Sequence, residues 1–224
     1  MNRIINILSI LLLLAFLFSC GADDPEEQGN SLGGDTNIPL AQVGNTGYSV
    51  IEMNGNYTRL DGIEITKNEN GVANIHVSTN ISQMTGLSNV ADLVSTIYPS
   101  FINDNGKINA DLKYKITSEG IQDFNNIDGK AHTLVKYDAN VGDTYSLKLS
   151  NGETITRKVV AKSDKDDFQW GMLYIKTITI EQNAVAPGVK KYIFRANHKF
   201  GLVFVEALME DGTSVGMYVY PSNY

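Results

Sequence analysis

Residues 144–149 and 154–162 alternate apolar and polar side chains on either side of Asn151-Gly152. A period of two puts one row of side chains on each face of a strand, and Asn-Gly supplies the positive φ values of a two-residue hairpin turn. The pattern recurs. Residues 63–67 and 72–78 flank Asn68-Glu69-Asn70-Gly71, residues 48–53 end at Asn54-Gly55-Asn56, and residues 202–209 and 213–220 meet at Asp211-Gly212. Over 107–117, Ile108, Ala110, Leu112, Tyr114 and Ile116 alternate with Asn109, Asp111, Lys113 and Lys115, as in a strand with one wet face. Residues 131–137, a long strand over 168–182 in which Gly171 could host a bulge, and residues 189–197 bring the expected total to about ten strands. Residues 120–129 read mostly as loop, and Val141-Gly142-Asp143 turns the 131–137 strand into the next.

Strands joined by short turns are antiparallel neighbours. The chain is therefore expected to be mainly β: an antiparallel meander forming a curved sheet, half-barrel or barrel, with a two-sheet sandwich as the alternative. One stretch departs from the strand pattern. Ser88 is placed to cap a helix, Val90, Leu93, Val94, Ile97 and Tyr98 follow helical spacing, and Pro99 ends it. One amphipathic helix is expected there, packed on the sheet over the open mouth of a half-barrel.

The first twenty residues follow a different rule. Arg3 precedes an apolar run over 4–18, too short for the roughly 20 residues of a spanning helix and suited to an export signal. The run ends at Leu17-Phe18-Ser19-Cys20, which holds the chain's single cysteine. This resembles the bacterial lipoprotein signal, cleaved before a cysteine whose thiol takes a lipid. The resemblance implies a signal peptide over 1–19, lipidation at Cys20, and a mature chain without a free thiol. Residues 20–46 form the lipidated cysteine and a flexible acidic tether, rich in Gly and acid and free of Lys and Arg. Asp23, Asp24, Glu26 and Glu27 stand just past Cys20. They resemble the surface-export tag of Bacteroidota lipoproteins. That likeness implies outer-membrane anchoring, exposure at the cell surface, and handling by lipoprotein export machinery. Residues 47–224 are then a single β-rich domain. Its Tyr137-Asp138, Val141-Gly142-Asp143-Thr144 and His198-Lys199-Phe200-Gly201-Leu202-Val203 resemble uncharacterised Bacteroidota surface lipoprotein domains, a likeness that carries no activity.

The chain has 18 basic and 25 acidic residues and a net charge of −7, and losing Arg3 with the leader makes the mature protein more acidic still. No basic block offsets this, so nucleic acid is not an expected partner. Asn103, Asn105, Gly106 and Ile108 occupy calcium-loop positions, but Phe101 and Leu112 stand where the two acidic ligands belong, so the stretch reads as a turn. His76, His132 and His198 lack metal-ligand spacing, and no nucleophile elbow, phosphate loop or dinucleotide fingerprint occurs. No cofactor or catalytic residue is expected. Phe168, Trp170 and Tyr174 are the candidate ligand-binding side chains, since positions an even number apart on an unbulged strand share a face. The expected function is a non-enzymatic binding or accessory domain on a surface lipoprotein. Alternatives are a carrier holding a hydrophobic ligand in a half-barrel cavity, a glycan-binding module, and a hydrolase with an unrecognised site. The partner is accordingly an envelope protein, a glycan or a lipid.

Overall fold

The computed structural model describes residues 29–80, 107–184 and 186–222. The signal peptide, Cys20, the acidic tag and the expected helix over 88–98 lie outside the described residues.

Fourteen strands are found among the described residues: β1 (Thr46–Met53), β2 (Asn56–Glu69), β3 (Val72–Asn80), β4 (Lys107–Thr117), β5 (Gly120–Asp123), β6 (His132–Lys136), β7 (Thr144–Lys148), β8 (Thr154–Lys162), β9 (Phe168–Trp170), β10 (Leu173–Ile175), β11 (Ile178–Asn183), β12 (Val189–Asn197), β13 (Gly201–Met209) and β14 (Ser214–Pro221). Twelve form one antiparallel sheet in the order β6-β5-β4-β3-β2-β1-β14-β13-β12-β11-β8-β7, and β9 pairs with β10 alone. Mainly β and antiparallel, the sheet curls into a nearly closed barrel. Side chains of β4, β5 and β6 pack directly against those of β8, β11 and β12, which are far from them in the sheet order.

Local chemistry explains the turns. Asn54 and Gly55 (φ 53° and 76°) and Asn70 and Gly71 (φ 54° and 82°) supply the left-handed pairs that close β1–β2 and β2–β3. Gly62 (φ 92°) bulges β2 where an added Cβ would overlap the Ser78 carbonyl.

The barrel closes where a plain meander would not. The first and last strands, β1 and β14, pair along a full ladder from Gly47–Pro221 to Met53–Val215. The gap falls between β6 and β7, although only seven residues join them. The expectation that a short link makes ladder neighbours fails here, because the link bonds to β8 instead. Gly142 N–H donates to Val159 O at 2.8 Å, Val159 N–H to Asp143 O at 2.9 Å, and Lys162 Nζ to the carbonyls of Tyr137 and Ala139.

The seam is laced by the chain's own N-terminal segment. Asn30 Nδ2 donates to Ser146 O on β7 at 2.7 Å, while its Oδ1 accepts from Thr133 N–H on β6 at 3.0 Å. One side-chain amide thus bridges the two unpaired strands as a peptide group would. Onward, Leu32 is buried, Lys115 Nζ holds the Leu32 carbonyl, and the 3-10 turn Pro39–Ala41 places Ala41 in the core. Residues 29–45, expected to be part of a flexible tether, pack on the barrel. Their polar composition hid this because much of their bonding runs through main-chain groups and amides.

Two further expectations are corrected. β5 lies in a stretch expected to be loop. It is short, and its polar Gln122 and Asp123 are buried and paired, so no alternation shows. The long strand over 168–182 is three strands. Gly171 (φ 60°) lies in the two-residue turn that folds β9 back on β10.

Candidate functional site

Strand pairing carries one face around the sheet. Val205 faces Phe194 on β12 and Met217 on β14, and Met217 faces Ile51 on β1. Phe194 packs with Ile121, Val159 and Ile180 in the main core, so this face is the barrel interior. The other wall continues it through Val77, opposite Ala110, and Ile75, opposite Leu112. The outward positions carry Arg59, Asp61, Glu64, Asp111, Lys113 and Lys158, unlike the apolar outer band of a membrane-spanning barrel.

The interior is filled unevenly. Ile121, Leu134, Val135, Val159 and Ile180 are fully buried. Ile75, Val77, Leu112, Phe194, Val205 and Met217 also face inward, yet they are only half-buried. A packed core would shut solvent away from all of them. One part of the barrel is therefore a solid core; in the other, Ile51, Leu60, Ile65 and Ala110 are buried on the same face, while the six stay partly open to solvent.

A polar hub lies inside beside this wall. Arg157 Nη2 on β8 meets Asp123 Oδ2 on β5 at 2.7 Å, Nε donates to Gln182 Oε1 at 2.7 Å, and Nη1 donates to His132 O at 3.1 Å. The guanidinium also lies 5.6 Å from the Phe194 ring. Every Arg157 nitrogen is used, so the hub is a strut between walls rather than a free anion site. His132 is wholly buried; its Nε2–H donates to Tyr145 O at 3.2 Å, leaving Nδ1 without a protein partner. Burial, reinforced by the Arg157 charge, pushes the imidazole down to about 3, so the ring is neutral at physiological pH. An open cleft of about 450 Å³ on the seam is lined by Asn30, Ser31, Lys130, Ala131 and Leu147.

The outside opposite the seam holds the expected aromatic residues in an unexpected arrangement. Trp170 stacks on Tyr220 with centroids 5.0 Å apart, and Tyr220 stacks on Tyr48 at 5.0 Å. Arg59 caps this column 3.7 Å from the Tyr48 centroid. Phe200 lies against Trp170 at 4.7 Å, and Lys199 lies over Phe200. Trp170 is buried, and its indole N–H donates to Val219 O at 3.1 Å. Phe168 is half-buried among Phe204, Tyr218 and Arg195. Tyr174 pairs with Gln169 and so lies on the opposite face of the hairpin from Trp170. The expectation of one platform formed by Phe168, Trp170 and Tyr174 is thus overturned: the turn at Gly171 and Met172 reverses the chain between them. Phe168 and Trp170 are a foot that fixes the β9–β10 hairpin to the sheet. Tyr174 stands at the tip with Met172 and Leu173, which are 60%, 96% and 51% exposed respectively.

His76 sits on β3, 2.9 Å from Asp111, and His198 is exposed between β12 and β13, so the structure does not bring the three histidines together. Among the described residues no three His, Cys, Asp or Glu side chains gather as metal ligands. Sequence reading offered a half-barrel cavity as one alternative but assigned none of the residues of this interior wall to it. No protein-family model, curated protein or solved structure matches the chain.

Proposed function

We propose that this chain is an outer-membrane lipoprotein, anchored through Cys20 and exposed at the cell surface, whose barrel is a non-enzymatic binding domain for a hydrophobic ligand. The observation that carries the ligand class is the half-buried interior wall of Ile75, Val77, Leu112, Phe194, Val205 and Met217. Apolar side chains left open to solvent on the inner face gain by receiving an apolar guest, at about 25 cal/mol for each Å² removed from water. Arg157, Asp123 and Gln182 already pair with one another and only His132 Nδ1 in the hub lacks a protein partner, so recognition rests chiefly on shape and apolar area. The glycan alternative loses its support in Trp170, which is buried and packed against Tyr220 and Phe200.

The localisation rests on the Leu17-Phe18-Ser19-Cys20 box and on Asp23, Asp24, Glu26 and Glu27. The amphipathic stretch over 88–98 links β3 and β4, and its stripe of Val90, Leu93, Val94 and Ile97 suits a helix lying against the sheet.

Two measurements test the reading. Organic extraction of protein purified from its native membrane, followed by mass spectrometry, should release a hydrophobic molecule in near-stoichiometric amount; an empty extract from a folded barrel would count against it. Cys20→Ala should abolish fatty-acid labelling in cells, and labelling that persisted would remove the anchor.

A further inference from the structure

We infer that the tip of the β9–β10 hairpin, formed by Met172, Leu173 and Tyr174, is a second membrane contact that dips into the bilayer and sets how the barrel stands on it. This rests on the proposed lipid anchor and adds a docking surface the anchor does not require.

The tip is both apolar and held rigidly. Met172 is 96% exposed, and Leu173 and Tyr174 are more than half exposed, which is costly in water unless something covers them. Flexibility does not account for the exposure, since Trp170, two residues before Met172, is packed against Tyr220 and Phe200 and bonded to Val219 O. Three side chains present a few hundred Å², well below the roughly 800 Å² per partner of a stable protein interface. A small apolar tip with a tyrosine fits the bilayer interface, where Tyr rings settle with the apolar body down and the hydroxyl at headgroup level.

The anchor makes so small a contact sufficient. Eight residues lie between Cys20 and Gly29, the first described residue, a reach of at most about 30 Å. So short a leash turns tip insertion into an intramolecular event with a high effective concentration. Around the hairpin, exposed Asp164, Asp166 and Asp167 are largely offset by exposed Lys165 and Lys176, so no strong charge favours anionic headgroups and a zwitterionic surface suits the tip.

The test uses the lipidated protein in phosphatidylcholine vesicles carrying spin-labelled lipid. The native thiol of Cys20 is taken by lipid in this reading, so Leu173→Cys can carry an environment-sensitive fluorophore at one place. Glu210→Cys is the control. It is exposed at the far end of β13, whereas the hairpin packs against Phe200 and Val203 at the near end. Emission from Trp170, the only tryptophan, verifies that the hairpin stays docked. The label at position 173 should shift to the blue and be quenched several-fold more than that at 210. Equal quenching at the two positions would overturn the inference. So would a label at 173 that is shielded from aqueous quencher yet not reached by the spin-labelled lipid, which would mean that a protein covers the tip. Flotation with the vesicles reads the anchor separately: protein that floats with an unquenched tip removes this inference alone, whereas protein that fails to float removes the anchor.

Discussion

Arg157 on β8 and Asp123 on β5 meet at 2.7 Å, with side chains 6% and 8% exposed, across the interior of a barrel whose ladder is broken between β6 and β7. The pair joins strands that the sheet does not join. Removing one partner strands the other charge in a site with little water. Asp123→Ala should therefore cost about 3–5 kcal/mol of unfolding free energy, read from urea titrations. The double variant Asp123→Leu with Arg157→Met should recover most of that loss, because an apolar pair does not leave a buried charge unmatched. Equal stability of Asp123→Ala and wild type would mean that the seam is not held from inside.

The outer stitch makes its own prediction. Asn30→Ala deprives Thr133 N–H and Ser146 C=O of their partner at the seam. The expected loss is about 1–3 kcal/mol. Hydrogen exchange should quicken first at Thr133, next to the unpaired edge, while the β1–β14 ladder keeps its protection. Uniform acceleration across the sheet would contradict the placement of the weak point.

His132 gives a pH signature. Its folded pKa, about 3, lies below the usual 6.5 because burial and Arg157 disfavour the cation. The unfolded chain therefore takes up this proton first as pH falls. The contribution is fully present above about pH 6.5, declines between 6.5 and about 3, and is level below that. A gap of this width between the folded and unfolded values is worth several kcal/mol, at about 1.4 kcal/mol for every tenfold change in proton affinity. A His132→Asn variant, less stable at neutral pH, should show a shallower fall in urea midpoint from pH 6.5 to 4.5 than wild type. Parallel curves would show that His132 does not titrate with unfolding.

The stretch over 88–98 is tested by Leu93→Asp. If the stripe lies on the sheet, burying an unpaired charge should lower the urea midpoint of the mature chain by more than Leu93→Ala, itself expected to cost about 2–5 kcal/mol. An unchanged midpoint would leave the stripe without a partner on the sheet.

These predictions divide between what the sequence discloses and what it hides. The turns at Asn54-Gly55 and Asn70-Gly71, and at Gly152, were legible because only a few residue types accept positive φ there. The span of β4, and that of β12, could be read from residue pattern and turn signals alone. The hub was not legible: Asp123, His132, Arg157 and Gln182 are scattered over 60 positions and look like surface residues until the barrel brings them inside. Asn30 was hidden for a related reason, since nothing local says that an amide will complete a sheet more than 100 residues away. Trp170 and Tyr174 were misplaced by one turn, because a glycine inside a strand pattern signals a bulge and a reversal equally well.

The central claim is that the apolar interior is space for a guest, and Val205→Trp tests it most directly. Val205 faces inward between Phe194 and Met217 and is half-buried, so an indole there should fill the space rather than displace neighbours. The measurement is a fluorescence titration of delipidated protein with the neutral probe N-phenyl-1-naphthylamine, with the melting temperature recorded for both proteins. The account predicts saturable binding by wild type, at least tenfold weaker binding by Val205→Trp, and a melting temperature that is unchanged or raised. A wild type that binds no probe, together with a Val205→Trp protein destabilised by the roughly 1–3 kcal/mol typical of an overpacked core, would show that the interior is already full.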